Sequence, residues 1–306
     1  MNWTGVMPAM TTAFNSDMSV DHTFVARHAQ WLIENGCKGI ICLGSLGESS
    51  TLRFDEKIAI LKTVVAALGG EAPVIAAVSA LSTAEAVELA IAARTVGCAG
   101  LMILPPYVYK GDWRENKAHV AAILNATSLP GMLYNNTVAY GVDYLPVQIA
   151  ELANEFPNLA AVKESSTDVR RVTAIRALTG NRLSLCVGVD DAIVEGIAAG
   201  AVGWVAGLVN AFPRESVDLF NLARAGKTQQ AFELCRWFLP LLRMDTVPKF
   251  IQLIKQVQQE AGIGSASVRA PRLEVVSEEL AATRAAFAYA QANRPSIAAL
   301  STPFNL

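Results

Sequence analysis

A lysine ends a short apolar run in the second half of the chain. Residues 159–162 are Leu-Ala-Ala-Val, Lys163 follows them, and a Ser/Thr-rich segment begins after Glu164. Because burial disfavours the charged form of an amine, a lysine in apolar surroundings loses its proton more readily and becomes a nucleophile. A nucleophilic amine condenses with a carbonyl or imine carbon to give a Schiff base, which withdraws electrons from neighbouring bonds. For Lys163 taken alone, a side chain that extends from a strand end into solvent is the alternative interpretation.

The apolar run before Lys163 is one of a series that alternates with amphipathic helical segments. Alternation of strands and helices predicts a parallel sheet, and a series of this length predicts an α/β fold, a closed (β/α)8 TIM barrel. An open doubly wound sheet would instead be favoured by a glycine-rich turn after the first strand, and residues 8–12 (Pro-Ala-Met-Thr-Thr) do not form one. The predicted strands are 5–10, 39–43, 74–78, 100–104, 132–134, 159–163, 183–187 and 202–205.

The pattern becomes purely helical after residue 212. Helices are predicted over 213–225, 228–240, 244–261 and 277–292, with no strand between them. The first of these completes the barrel. The predicted organisation is therefore a barrel over residues 1–225 and a C-terminal helical extension over 226–306 that packs on it.

The carboxyl ends of the predicted strands carry residues suited to amine catalysis. Reactive groups lie at these ends in (β/α)8 barrels. We expect Lys163 to be the nucleophile, the Tyr134 phenol to carry protons and the Ser45 hydroxyl to relay them. The turn over residues 44–47 exposes backbone N–H groups that suit a substrate carboxylate. The residues predicted to bind substrate are Leu46, Gly47, Tyr107, Asn136, Gly188 and Gly207.

Other polar residues near the strand ends are assigned structural roles. Glu48 is expected to accept hydrogen bonds from backbone amides rather than to act as a base. Asp190 and Asp191 follow the seventh strand and are expected to cap the next helix. The three histidines, His22, His28 and His119, fall on predicted outer helices and are expected to face solvent, so no metal site is predicted.

Composition excludes several functional classes. Lys and Arg total 25 against 27 Asp and Glu, a balance that favours binding neither to nucleic acid nor to an anionic membrane. The five cysteines contain no Cys-x-x-Cys pair, which predicts reduced thiols and a cytoplasmic location. Residues 192–212 approach the length of a membrane span, but glycines divide them into helix, turn and strand pieces.

The chain resembles the dihydrodipicolinate synthase / N-acetylneuraminate lyase family of class I aldolase-type barrels over nearly its whole length. The resemblance rests on residues 44–48 (Gly-Ser-Leu-Gly-Glu), 134–135 (Tyr-Asn), Lys163, 188–190 (Gly-Val-Asp) and 269–273 (Arg-Ala-Pro-Arg-Leu). It implies a covalent Schiff base between Lys163 and a small-molecule substrate, with no metal or organic cofactor. It also implies a homotetramer built as a dimer of dimers.

The sequence departs from the family pattern at several positions, and these differences restrict which of the family's activities the resemblance implies. Leu46 replaces a threonine that helps to hold the substrate carboxylate in relatives, and Thr137 replaces a proline. Ala139 stands where dihydrodipicolinate synthases have an arginine for aspartate semialdehyde. Val108 replaces a relay tyrosine that reaches across the dimer, and the neighbouring Tyr109 is not assumed to substitute for it. These changes argue against a role in lysine biosynthesis.

One branch of the family shows the strongest resemblance, on residues 105–109, 134–136, 163–168 and 242–248. That branch is the Δ1-pyrroline-4-hydroxy-2-carboxylate deaminases of bacterial hydroxyproline breakdown. The implied reaction opens a cyclic imine, eliminates water and releases ammonia to give 2-oxoglutarate semialdehyde. Two alternatives remain open: a 2-keto-3-deoxy sugar-acid aldolase or dehydratase, and a non-catalytic barrel that binds a small molecule.

Overall fold

The computed structural model describes residues 1–296 and contains eight parallel strands that close into a barrel. The order around the sheet is β1-β8-β7-β6-β5-β4-β3-β2, and a parallel bridge between Ala9 and Ile41 joins the first and second strands. The predicted (β/α)8 fold is confirmed. The strands are β1 (Gly5–Pro8), β2 (Ile40–Cys42), β3 (Val74–Val78), β4 (Gly100–Ile103), β5 (Gly131–Asn135), β6 (Leu159–Glu164), β7 (Ser184–Val187) and β8 (Gly203–Ala206).

Helices surround the barrel, so its strands are buried on both faces and are apolar along almost their whole length. Short 3₁₀ turns follow several strands. The helices among the described residues are α1 (His22–Glu34), α2 (Phe54–Leu68), α3 (Thr83–Thr95), α4 (Trp113–Asn125), α5 (Thr137–Tyr140), α6 (Pro146–Glu155), α7 (Arg170–Thr179), α8 (Ile193–Ala198), α9 (Pro213–Arg224), α10 (Thr228–Leu242), α11 (Phe250–Glu260) and α12 (Ser277–Ala292).

The C-terminal helices follow the prediction except at one point. A helix was predicted over 244–261, but residues Arg243–Thr246 form a 3₁₀ turn and α11 begins only at Phe250. Pro248 lies in this break, and proline disfavours helical geometry in the residue before it. The division at residue 225 falls in the connection between α9 and α10 and stays a prediction, and residues 297–306 of the extension lie outside the described part.

A buried polar network joins α11 to the barrel. Lys255 is 2% exposed, and its Nζ lies 2.8 Å from Glu48 Oε1 and 2.9 Å from the Thr12 carbonyl oxygen. The Thr11 hydroxyl donates to Gln258 Oε1 at 2.9 Å. Because each of these buried groups has a partner, the network holds the extension in one position on the barrel.

Two of the three histidines are buried, and the prediction that they face solvent is wrong. His28 lies under α11, where its Nε2 is 3.2 Å from Asn210 Oδ1, and burial lowers the pKa of His28 to about 4. His119 contacts the Thr83 hydroxyl at 2.9 Å in the α3–α4 interface. His22 is partly buried beside Thr63. The extension and neighbouring helices cover positions that an isolated helix would expose.

The described residues form no helix with the length and apolar character needed to span a bilayer. Residues 192–212, the apolar stretch noted in the sequence, are divided between α8, β8 and the 3₁₀ turn Leu208–Asn210.

Candidate active site

A cavity of about 470 Å³ opens at the carboxyl ends of the strands, under the turn that precedes α11. A larger cavity, about 1140 Å³, lies at the opposite end of the barrel around the start of β1 and β3. The smaller cavity is the candidate site because it contains the converging reactive groups at the end of the barrel where such folds place chemistry. Eight predicted site residues line it: Ser45, Leu46, Tyr107, Tyr134, Asn136, Lys163, Gly188 and Gly207.

Gly47 is the predicted substrate-binding residue that does not line the cavity. It lies behind the turn, where an added Cβ would be only 3.0 Å from the Met10 carbonyl oxygen. Gly47 therefore allows the turn to pack closely against the segment that follows β1.

Lys163 projects into the cavity from β6. Its side chain is 5% exposed, and its Nζ lies 4.1 Å from the centre of the Tyr134 ring. Tyr134 and Lys163 are direct neighbours in the β5–β6 register. None of the ion pairs between a lysine and a carboxylate within residues 1–296 involves Lys163. The amine is therefore buried beside an aromatic ring and available to a ligand.

Successive side chains along β5 and β6 point to opposite faces of the sheet, so the reactive residues lie on one face and the structural residues on the other. Tyr134 and Lys163 point inward, whereas the next residues, Asn135 and Glu164, point outward. The Glu164 carboxylate accepts from the Ser166 N–H at 2.7 Å and from Asn135 Nδ2 at 3.1 Å. Burial raises the pKa of Glu164, and these two hydrogen bonds oppose that change.

Gly188 makes room for the lysine. An added Cβ at Gly188 would overlap the Ser165 hydroxyl and lie 2.5 Å from Lys163 Cε. Any side chain at this position would displace the lysine, so the requirement for glycine is steric.

A one-turn helix after β5 brings a third tyrosine into the cavity. Asn136 caps α5 by accepting from the Ala139 N–H at 2.9 Å, and its Nδ2 donates to the Tyr134 hydroxyl at 3.1 Å. Gly141 ends the helix in the left-handed region, with φ of 67°. These two caps fix Tyr140 at the cavity wall.

The Tyr140 hydroxyl forms a hydrogen bond with Ser45 Oγ. The Tyr140 ring stands edge-on to Tyr134 and Tyr107, with centroid separations of 5.7 and 5.6 Å. Burial raises the pKa of Tyr140 well above its ordinary value, and the neighbouring phenols raise it further. Ser45 was expected to contact Tyr134, but the structure joins it to Tyr140. The sequence interpretation missed Tyr140, although the spacing from Asn136 to Gly141 is typical of a capped helical turn.

Val108 and Tyr109 lie outside the cavity. Val108 is 89% exposed, and the Tyr109 hydroxyl donates to Glu115 Oε1 at 2.8 Å on the surface. Tyr109 therefore does not enter the cavity of its own chain.

The turn after β2 presents backbone amides to the cavity. The N–H groups of Ser45 and Leu46 donate no hydrogen bond within the described residues. Glu48 adopts a left-handed conformation with φ of 56°, and its buried carboxylate accepts from the Arg269 N–H at 3.0 Å as well as from Lys255. The structural role predicted for Glu48 is confirmed.

Asp190 supports the end of β8 rather than capping a helix, so that prediction is wrong. Its fully buried carboxylate accepts from the N–H groups of Gly207 and Leu208 at 3.1 and 2.7 Å, and from Trp204 Nε1 at 3.0 Å. Burial raises the pKa of Asp190 to about 6, while these donors favour its ionised form. Asp191 instead pairs with Arg243 at 3.6 Å.

Within residues 1–296, no group of three or more His, Cys, Asp or Glu side chains is arranged to hold a metal ion. The arrangement that is present can support imine chemistry: an amine, a phenol beside it and free amides for a carboxylate.

The fold and the cavity define a Schiff-base-forming enzyme of the lyase/aldolase superfamily. The sequence profile of the dihydrodipicolinate synthetase family matches residues 2–290, so the chain belongs to this family. The 4-hydroxy-tetrahydrodipicolinate synthase of Desulforamulus reducens is 31% identical over 275 residues, 90% of this chain and 93% of the relative. The enzyme of the same name from Geobacter metallireducens is 34% identical over 75% of this chain and 79% of its own.

Solved structures agree with this assignment. The 4-hydroxy-tetrahydrodipicolinate synthase of Methylacidiphilum fumariolicum superposes with a TM-score of 0.94 at 26% identity, covering 98% of this chain and 99% of that one. A putative dihydrodipicolinate synthetase from Pseudomonas aeruginosa gives a TM-score of 0.90 at 27% identity, with 94% and 100% covered.

Proposed function

We propose that the protein is a deaminase that converts Δ1-pyrroline-4-hydroxy-2-carboxylate to 2-oxoglutarate semialdehyde and ammonia. The observation that carries this proposal is a cavity with one free amine and no arginine at position 139, where Ala139 forms part of the wall. A deaminase needs to hold one substrate, whereas a synthase must also hold a second substrate with its own carboxylate.

The reaction begins at C2 of the cyclic imine. Lys163 Nζ bonds to C2, a proton moves from the lysine nitrogen to the ring nitrogen, and the C2–N ring bond breaks. The ring nitrogen becomes a primary amine on C5, and Lys163 is left as an iminium at C2. The free amides of Ser45 and Leu46 suit the C2 carboxylate, which they would hold against the turn.

The iminium acidifies the C3 protons, which allows the C4–OH bond to break with loss of water. Loss of a C5 proton and protonation at C3 then move the double bond to C4–C5, which gives an enamine. Transfer of a proton from the C5 nitrogen to C4 converts this enamine to an imine at C5. One water hydrolyses the C5 imine and releases ammonia, and a second releases the product from Lys163. One molecule of water is consumed overall, and no metal or organic cofactor takes part.

Tyr134 is the proposed carrier of protons at C2 and C3. Its hydroxyl is oriented by Asn136, and its ring lies directly under the lysine amine. We propose that Ser45 and Tyr140 exchange protons with the site through their shared hydrogen bond. This pair lies within one chain and would serve in place of the relay tyrosine that is Val108 here.

Because the relatives are named as synthases, synthase activity is the second candidate function. The decisive experiment incubates the protein with Δ1-pyrroline-4-hydroxy-2-carboxylate and measures ammonia and 2-oxoglutarate semialdehyde. Parallel reactions contain pyruvate with aspartate semialdehyde, or 2-keto-3-deoxy sugar acids. Equal amounts of ammonia and semialdehyde support the deaminase; turnover only in a parallel reaction would assign the synthase or the aldolase/dehydratase instead.

The cytoplasmic location and the homotetramer are further proposals. Leu81 and Val108 are 70% and 89% exposed on adjacent loops, which a hydrogen bond from the Tyr107 N–H to the Ala80 carbonyl joins at 3.2 Å. Apolar side chains exposed together are typical of a contact between subunits. Light scattering after size-exclusion chromatography tests the tetramer, and Val108→Glu is expected to weaken it.

A further inference from the structure

Asp245 is a carboxyl group in the cavity, in addition to the reactive groups Lys163 and Tyr134. It belongs to the 3₁₀ turn Arg243–Thr246, which the C-terminal extension places over the rim of the barrel. Its side chain lines the same cavity as Lys163. An added Cβ at Gly207 would overlap the Asp245 carboxyl, so the absence of a side chain at Gly207 makes room for this acid.

The position of Asp245 is opposite that of Tyr134. The strand order places β5 on one side of β6, and β7 and β8 on the other. Tyr134 is therefore next to Lys163 on the β5 side, and Asp245 lies against β8 on the far side. A substrate bound to Lys163 is flanked by two groups that can transfer protons.

The surroundings of Asp245 favour its neutral form. Burial raises the pKa of Asp245 well above its ordinary value, and the neighbouring carboxylates of Asp190 and Asp191 raise it further, while Lys163 lowers it. The Asp190 carboxylate accepts hydrogen bonds from three donors, and Asp191 pairs with Arg243. A carboxyl group whose pKa is raised in this way can act as a general acid.

We propose that Asp245 is the acid that protonates the departing 4-hydroxyl group, an inference that rests on the proposed deaminase function. Hydroxide is a poor leaving group, and the phenol of Tyr134 is already engaged at C3 on the other side of the lysine. The proton of the Asp245 carboxyl moves to the C4 oxygen as the C4–O bond breaks, and water leaves.

The proton balance closes within the cycle. After elimination, Asp245 is a carboxylate next to an iminium conjugated through C3 and C4. It regains a proton from C5, while Tyr134 returns a proton to C3. The double bond thereby moves to C4–C5 as an enamine, and transfer of a proton from its nitrogen to C4 gives the C5 imine that water hydrolyses. No oxidant, reductant or further reactant is needed.

The test compares Asp245→Asn with the wild-type protein and with Asp191→Asn, which removes a nearby carboxylate outside the cavity. Each protein is mixed with Δ1-pyrroline-4-hydroxy-2-carboxylate, reduced with borohydride and weighed intact by mass spectrometry. Asp245→Asn is expected to lower the rate of ammonia release at least about 100-fold, the usual contribution of a general acid. Its trapped adduct is expected to be heavier than the dehydrated adduct by one water, because the 4-hydroxyl remains.

A substrate analogue with chlorine in place of the 4-hydroxyl separates acid catalysis from a structural effect. Chloride leaves without a proton, so Asp245→Asn is expected to release chloride from this analogue at close to the wild-type rate. In the wild type, turnover of the natural substrate is expected to fall as the pH rises through the pKa of Asp245, because the acid form is lost. The variant is expected to lack this decrease.

The outcomes separate the two proposals. If the wild type releases no ammonia and forms no adduct, the deaminase function is wrong. If the wild type is active but Asp245→Asn keeps its rate, or accumulates only the dehydrated adduct, the role of Asp245 is overturned. A variant that releases chloride from the chloro analogue as slowly as it turns over the natural substrate would assign Asp245 a structural role instead.

Discussion

Lys163 and Lys255 are two of the almost fully buried lysines among residues 1–296; they lie at the same end of the barrel, and their surroundings differ. Lys255 has a carboxylate at 2.8 Å and a carbonyl oxygen at 2.9 Å. Lys163 has an aromatic ring at 4.1 Å and no ion pair among the described residues. Burial lowers the pKa of Lys255, and Glu48 opposes this by stabilising its charge.

The two environments correspond to two uses of one side chain. A buried charge with a partner and satisfied hydrogen bonds fixes one arrangement of the chain. A buried amine that has no such partner is available for a bond to substrate. The network of Lys255 under α11 therefore contributes to stability, whereas Lys163, in the cavity at the end of β6, provides the reactive amine.

The largest expected effect comes from removing the reactive lysine. Lys163→Ala is expected to lower ammonia release by about 10⁴-fold or more, the scale of losing a nucleophile, and to abolish borohydride trapping. Its stability in urea is expected to equal or exceed that of the wild type, because a buried amine is removed. Trapping that persists in this variant would place the Schiff base on another residue.

The second lysine is expected to show the opposite result. Lys255→Met leaves the Glu48 carboxylate buried without its ion-pair partner and is expected to lower the free energy of unfolding by about 3–5 kcal/mol. The folded fraction is still expected to form the Lys163 adduct. Adding Glu48→Gln is expected to recover part of the lost stability. Urea denaturation measures both variants, and a loss below about 1 kcal/mol would contradict the anchoring role.

A smaller effect tests the relay beside Lys163. Tyr140→Phe removes the hydrogen bond to Ser45 and is expected to lower turnover about 100-fold without preventing adduct formation. Tyr109→Phe is the matched control, because that hydroxyl bonds Glu115 outside the cavity. Steady-state rates for the two variants decide the question; equal rates would exclude Tyr140 from proton transfer.

The smallest effect comes from the turn that positions Tyr140. Gly141→Ala places a side chain in the left-handed region, at a cost of about 1 kcal/mol of stability. Gly69→Ala is the control, since Gly69 has the same conformation at the end of α2, far from the cavity. Both variants are expected to lose stability by thermal unfolding, Gly141→Ala slightly more because its Cβ also displaces the end of the Lys110 side chain. Only Gly141→Ala is expected to slow turnover. Equal turnover by the two variants would show that activity does not depend on the glycine at the end of α5.

Much of the fold follows from local sequence patterns. Strands buried on both faces appear as continuous apolar runs, so their number and order could be predicted. The ends of those strands included Lys163, Tyr134 and Ser45, and the structure collects all three around one cavity. Tyr140 was missed because its position depends on the caps of α5. Asp245 was missed because a helix was predicted through it.

The sequence by itself determined the barrel and the amine at the end of β6, because both depend on periodicity and strand order along the chain. Tertiary structure decided which buried charges have partners. Glu48 and Lys255 are 207 residues apart in the chain, yet they meet, and Asp245 reaches Gly207 only because the extension folds back over the rim. Such pairs carry no local pattern, since their energies depend on burial and distance in the folded chain.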